Sequence, residues 1–182
     1  MTGKSVVLAG MGLLLAGGCA LMPEPYRETV VFDLALPAVA ENTRSGVEFG
    51  RILNLTPAGR KMLFREADNR LREAPYLAWS QSPEAMLRRY LMCRFAPDGN
   101  AGDRAARRVE LTLLTFELDA ARQEAALEVE YQLEGRTGTA RFTAPLEEAA
   151  GAAASRAMSR CAAGLADHLE QVLAAAPAAV GK

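Results

Sequence analysis

Apolar and polar residues alternate with a period of two along much of the second half of this chain, a pattern typical of strands that bury one face. Between residues 124 and 134 one face carries apolar side chains and the other is mostly glutamate. Enrichment in β-branched and aromatic residues predicts further strands at 29–36, 47–55 and 109–119, and another at 138–144. The last three strands are expected to form an antiparallel meander.

A hairpin is predicted between the second strand and the first helix. Residues 62–66 and 70–74 are short strand-like segments, and Asp68-Asn69 between them has the composition of a turn. The Ala, Leu, Arg and Glu content of this stretch also favours helix, so the hairpin is the preferred of two interpretations.

Two amphipathic helices follow from a period near 3.6. The first begins at Pro83, where Ser82 is placed to cap free amides and Glu84 meets the positive end of the helix dipole. Its apolar face is predicted to comprise Met86, Leu87, Tyr90, Leu91 and Phe95. The second covers the Ala-rich stretch 147–176, with an apolar stripe of Ala154, Met158, Cys161, Leu165, Leu169 and Val172.

These elements predict a two-layer α+β domain spanning residues 29–176, with a mainly antiparallel sheet and both helices packed on its apolar face. The opposite face would be solvated and acidic, and it would carry Glu128 and Glu130. Residues 177–182 read as a C-terminal tail. Trp79, just before the first helix, is expected to pin the start of that helix to the sheet.

The N-terminus has the layout of a secretory signal: Lys4, a short apolar core, and then small residues. The apolar run is too short and too rich in glycine to span a bilayer. Ala16, Gly17 and Gly18 directly before Cys19 resemble the lipobox of bacterial lipoproteins, although Leu is usual where Ala16 stands. The resemblance implies a signal peptide at residues 1–18, acylation of Cys19, and a lipidated tether at 19–28; an ordinary signal peptide is the alternative.

Charge and composition narrow the classes of function. Loss of residues 1–18 removes Lys4 and no acid, which leaves 20 basic and 22 acidic residues and a formal charge of −2. Such a chain lacks the basic footprint of a nucleic-acid-binding protein. One histidine, His168, and the absence of a Cys-x-x-Cys motif argue against a zinc site, and no catalytic constellation or cofactor motif is present. Cys93 and Cys161 are either a disulfide pair or two buried thiols.

The run 62–91 is similar to the ABC-type transport auxiliary lipoprotein family, of the PqiC type. Members have an aromatic-Arg strand, a short hairpin, a tryptophan before a proline, and a helix with spaced leucines. The matching positions here are Phe64, Arg65, Tyr76, Trp79, Pro83, Leu87 and Leu91. The strand at 109–119, the alternating strand after it and the Ala-rich helix also agree, so that the resemblance covers roughly residues 29–173. Phe64 stands where the family usually has tyrosine.

The resemblance implies a non-enzymatic protein, anchored in the outer membrane and facing the periplasm. Ala20 and Leu21 follow Cys19 in place of the aspartate that retains lipoproteins at the inner membrane. Its expected partners are an MCE-domain periplasmic protein and the associated ABC transporter, in intermembrane lipid transport, and copies of the chain could associate. The docking surface is expected to be the acidic sheet face, with Glu128 and Glu130, or an exposed strand edge. The alternatives are a lipoprotein that plugs or chaperones an outer-membrane β-barrel and a stand-alone lipid binder.

Overall fold

The structure is a computed structural model that describes residues 26–37, 47–95, 107–147 and 150–175. Cys19, most of the predicted tether and the predicted tail at 177–182 lie outside the described residues. The order along the chain is β1 (Val30–Phe32), β2 (Val47–Asn54), β3 (Lys61–Arg65), β4 (Leu71–Trp79), α1 (Pro83–Arg94), β5 (Arg107–Asp119), β6 (Glu124–Leu133), β7 (Arg136–Pro145) and α2 (Gly151–Ala175).

The seven strands form one mixed sheet in the order β1-β4-β3-β5-β6-β7, with β2 beside the first half of β5. The β3–β4, β5–β6 and β6–β7 pairs are antiparallel, as the predicted hairpin and meander require. The β1–β4, β2–β5 and β3–β5 pairs are parallel. The predicted α+β class is confirmed, because most of the ladder is antiparallel and two helices accompany the sheet.

Two tight turns fix the antiparallel register. In the β3–β4 hairpin Asn69 has a φ of 66°, a left-handed conformation that asparagine tolerates. Glu134 and Gly135 form a two-residue turn between β6 and β7 with φ values of 52° and 76°. Positive φ at both positions is the mark of a type I′ turn, which matches the twist of an antiparallel pair.

The core lies between the sheet and the helices. The predicted apolar faces of α1 and α2 are buried, except that Val172 is only partly so. The side chain of Trp79 is 1% exposed and stacks edge-on against Phe116, with ring centroids 5.5 Å apart. Trp79 is the last residue of β4. This strand is longer than predicted, because the expected boundary was Ala74.

Pro75 shows how the longer β4 is possible. The β3–β4 register shifts between the Leu63–Glu73 and Lys61–Ala78 pairs, and Pro75 falls in that irregular stretch. A proline cannot donate to a ladder, so a bulge is where a strand tolerates it.

The start of α1 differs from the expected cap. Ser82 occupies the N-cap position, but its side chain makes no capping hydrogen bond; its hydroxyl instead donates to Glu84 at 2.5 Å. The first turn is closed by the Ser82 carbonyl, which accepts from the amides of Ala85 and Met86 at 3.0 Å each.

Cys93 and Cys161 are free thiols in the structure, so the expected alternative of a disulfide between them is not the arrangement observed. Cys161 lies on the buried stripe of α2, where its Sγ is 3.5 Å from the carbonyl oxygen of Ala125 on β6. Cys93 is half-buried on α1. Burial raises the pKa of the Cys161 thiol to about 12.

Candidate functional surface

The sheet has one face turned away from the helices, here called the outer face, formed by the polar side chains of β3, β5, β6 and β7. Arg65, Thr115, Glu117, Glu128, Glu130 and Arg141 lie on it. Strand alternation brings them together, since every second residue of each strand points to the same side.

Arg65 and Glu117 form a forked ion pair on this face. The Arg65 Nε and Nη2 atoms donate to the two Glu117 carboxylate oxygens at 2.5 and 2.7 Å, and Nη1 donates to Asn69 Oδ1 at 2.5 Å. The hydrogen bond to Glu117 raises the pKa of Arg65 above its ordinary value. With Glu117 only 11% exposed, the pair joins β3 to β5.

Glu128 is not a free carboxylate. It lies directly opposite Arg141 in the β6–β7 register, and Arg141 Nη1 is 3.2 Å from Glu128 Oε2. The hydroxyl of Thr115 donates to the same oxygen at 3.3 Å. The outer face is therefore a mixed-charge surface, and the expectation of a plainly acidic one is wrong because the β6–β7 register places an arginine across from a glutamate.

Glu130 differs from Glu128. It is exposed, it faces Thr112 on β5 and Thr139 on β7, and no ion pair joins it to another residue in the described part of the chain. Of the two glutamates predicted as a partner surface, Glu130 is thus the one whose charge is available.

Between these groups lies an open polar depression of about 440 Å³. Its lining includes Arg65, Asn69, Thr115, Glu117, Asp119, Arg122 and Arg141. It offers hydrogen-bond donors and acceptors whose charges are already balanced across strands, which suits docking of a polar surface. Among the described residues, no three His, Cys, Asp or Glu side chains gather as metal ligands.

His168 lies on the helix side of the sheet and not on the outer face. Its ring packs between Tyr131 and Phe142, with centroid distances of 5.4 and 5.9 Å. Its Nε2 is buried with no hydrogen-bond partner among the described atoms. The ring fills a gap between α2 and the β6–β7 hairpin, which is a packing role.

The family-motif residues divide between core and surface. Phe64, Trp79 and Leu87 are buried, and Pro83 begins α1, so these four shape the fold. Arg65 reaches the outer face. Glu117 and Arg141 belong to the same surface, but the sequence alone does not identify them. Strand alternation predicts the face on which each lies, whereas their partners depend on a strand register that the sequence leaves open.

In the described part of the chain, neither α1 nor α2 is long and apolar enough to span a membrane.

Comparison with protein-family models and with curated proteins gives no match. Solved structures do share the fold. One, an uncharacterized protein, is 13% identical with a TM-score of 0.56, and the match covers 80% of this chain and 97% of that one. Another, protein XCC0632 from Xanthomonas campestris of the family DUF330, is 16% identical with a TM-score of 0.55 and coverages of 78% and 92%. The chain is similar to these proteins in fold.

Proposed function

We propose that this protein is an outer-membrane lipoprotein that faces the periplasm and docks an MCE-domain partner of an ABC transporter, without catalysis of its own. The observation that carries the proposal is the shared fold with a DUF330 protein, because that family is the PqiC-like one that the sequence resembles. The similarity extends over nearly all of the DUF330 chain, so it concerns a whole domain.

Lipidation of Cys19 is part of the proposal. Multiple acyl chains hold a protein at a membrane firmly, each buried methylene contributing about 0.8 kcal/mol. Tyr26 is seven residues after Cys19, and an extended chain spans at most about 3.6 Å per residue, which gives about 25 Å in all. The start of the domain would then stay within about 25 Å of the bilayer, which raises its effective concentration at the end of a periplasm-spanning partner.

The outer face is the proposed docking surface. Its salt-bridged groups are held in fixed positions by neighbouring strands, and Glu130 supplies a negative charge that no other described residue pairs. Charges at the rim of an interface steer association and set specificity more than they add affinity. We therefore expect the partner to present a polar surface with a basic group opposite Glu130.

The stand-alone lipid binder gains no support from the helix–sheet interface. Where α2 crosses β6 and β7, Met158, Cys161 and Leu165 are at most 1% exposed and fill the space. A pocket for an acyl chain would have to open elsewhere or by movement of α2.

The test is capture of the partner from membranes of the native host. The tagged full-length chain is cross-linked mildly, solubilised and purified, and the co-purifying proteins are identified. Recovery of an MCE-domain protein supports the proposal; recovery of a β-barrel alone, or of no partner, contradicts it.

Two variants locate the docking surface in the same experiment. Glu130→Lys reverses the unpaired charge and should reduce partner recovery several-fold. Glu128→Lys also breaks the ion pair with Arg141. Partner recovery that falls with Glu128→Lys but not with Glu130→Lys would therefore reflect a disturbed structure of the outer face. Partner recovery unchanged in Glu130→Lys would exclude this face. In parallel, Cys19→Ser should abolish incorporation of labelled palmitate and release the protein from the outer-membrane fraction.

A further inference from the structure

Among the residues that the structure describes, β7 is an edge strand of the sheet without the usual protection. It is ten residues long and pairs with β6 in unbroken register from Arg136 to Pro145. Natural edge strands are commonly short, bulged, interrupted by proline or marked by unpaired charges. Here Pro145 stands only at the end, and the charge of Arg141, near the middle, is engaged by Glu128.

The type I′ turn determines which backbone groups face outward. In a two-residue hairpin the residues flanking the turn, Leu133 and Arg136, form a hydrogen-bonded pair, and such pairs then alternate along the ladder. The amides and carbonyls of the odd-numbered residues of β7 consequently point away from β6. The carbonyl of Pro145 agrees with this phase, because it accepts a hydrogen bond from Arg160 of α2 at 2.6 Å.

Four residues expose both outward groups: Thr137, Thr139, Arg141 and Thr143. Their side chains are also exposed, on the outer face, and no hydrogen bond joins these backbone groups to another described element. The strand therefore presents four amides and four carbonyls in a regular row that an added strand would satisfy.

We propose that the occupant of this edge is β7 of a second copy, paired antiparallel about a two-fold axis at Ala140. In that register Thr137 faces Thr143 of the second copy and Thr139 faces its Arg141. All four outward residues then form hydrogen-bonded pairs, with about eight new hydrogen bonds between the copies. This pairing does not depend on the proposed function.

Self-complementarity selects this register over its neighbours. A shift by two residues in either direction leaves only three of the four outward pairs. One of those shifts also places Arg141 opposite Arg141 of the second copy, and like charges directly opposite each other destabilise a ladder. The axis at Ala140 satisfies every exposed group and keeps the two arginines apart, as an isologous dimer requires.

Disulfide cross-linking tests the axis directly. Ala140 of one chain would lie opposite Ala140 of the second copy in a non-hydrogen-bonded pair, in which the two Cα atoms are about 4.5 Å apart. In the full-length chain in membranes, with Cys93→Ser as background, Ala140→Cys should give a disulfide dimer on mild oxidation. The matched control is Thr143→Cys, whose copies would lie about 20 Å apart, and it should give at least five-fold less dimer.

Substitution of Thr139 tests the backbone pairing. Thr139→Pro removes an outward amide that β6 does not use, so it should abolish the cross-link at position 140 while the hairpin persists. Thr139→Ala keeps the amide and should retain it. Thr139→Lys places a cation opposite Arg141 of the second copy but beside Glu130 of its own chain. It should therefore yield a folded monomer.

Three results together support the proposal. The solubilised chain sediments as a dimer, Ala140→Cys cross-links the two copies, and both the dimer and the cross-link are lost with Thr139→Pro and with Thr139→Lys. Circular dichroism melts confirm that each variant is folded. A monomer at all concentrations, equal cross-linking at 140 and 143, or a cross-link that survives both substitutions would overturn it.

Discussion

The ring of Phe32 on β1 lies directly over the Cα of Gly151, the first residue of α2, so closely that a Cβ there would be 2.1 Å from Phe32 Cε2. The contact joins the N-terminal edge strand to the C-terminal helix. Nearby, Ser155 Oγ donates to the Asp33 carbonyl at 2.5 Å and the Ala35 amide donates to Ser159 Oγ at 2.9 Å. These contacts hold residues 32–35 against α2. The chain just before them leads back to the predicted membrane anchor.

Gly151→Ala should lower the free energy of unfolding by about 1–3 kcal/mol, the usual cost of overpacking, although alanine is normally the better helix former. Urea titration measures it. Gly59→Ala, where nothing lies within 4 Å of the added carbon, is the control and should change stability little. In a Phe32→Ala background the added methyl has room, so Gly151→Ala should then be neutral or stabilising; a loss of the same size there would refute the steric explanation.

The sequence predicts the local elements well and the pairings between distant strands poorly. The alternation in β6 and the apolar stripe of α2 are sufficient because a period of two or 3.6 is set by the backbone alone. The parallel pairing of β1 with β4 and of β2 with β5 brings together segments far apart along the chain. No local pattern contains that information.

The same limit applies to the candidate surface. Glu128 and Glu130 are indistinguishable in sequence, since both are glutamates on the same face of one strand. They differ only because the β6–β7 register sets Arg141 opposite the first and Thr139 opposite the second. The turn lies at Glu134-Gly135, so that β7 begins at Arg136 and not at the predicted residue 138, and the position of this turn decides which residues face each other.

Arg88 binds the backbone of β2 where the pairing of β2 with β5 becomes irregular. Its guanidinium donates to the carbonyl of Phe49 at 3.1 Å and to that of Gly50. Arg88→Lys keeps the charge but loses the fork, which leaves one half-buried carbonyl unpaired, and it should cost about 1–2 kcal/mol of stability. Thermal and urea unfolding measure the difference. Arg60→Ala, at an exposed position, should cost less than about 0.5 kcal/mol; equal losses would mean that the carbonyl contacts contribute nothing.

Asp33 predicts a pH dependence of stability. Burial raises the pKa of its carboxyl, but hydrogen bonds from Arg89 and from the Leu34 amide outweigh burial and hold the pKa below its ordinary value of 3.8. A depressed pKa means that the stabilisation is complete above about pH 4 and is lost as the pH falls through the folded-state pKa. Because the side chain is 38% exposed, we expect less than about 1 kcal/mol.

The measurement is the difference in unfolding free energy between the parent chain and Asp33→Asn at pH 7 and pH 3. The difference should shrink at pH 3. A constant difference for Asp33→Asn across this range would show that its carboxylate is not stabilised in the folded state.

The thiols give a final prediction, because burial and a pKa of about 12 should make Cys161 unreactive in the folded protein. Thiolate is the reactive form and α2 covers the Cys161 thiol, so at pH 8 iodoacetamide should alkylate Cys161 at least about 100-fold more slowly than half-buried Cys93. Peptide mass spectrometry after timed alkylation measures both rates. In 8 M urea, a concentration at which domains of this size generally unfold, the two rates should converge to about the same value. Rapid labelling of Cys161 in the folded chain would mean that α2 opens readily from β6, and a population found as a Cys93–Cys161 disulfide would require that helix to lie elsewhere.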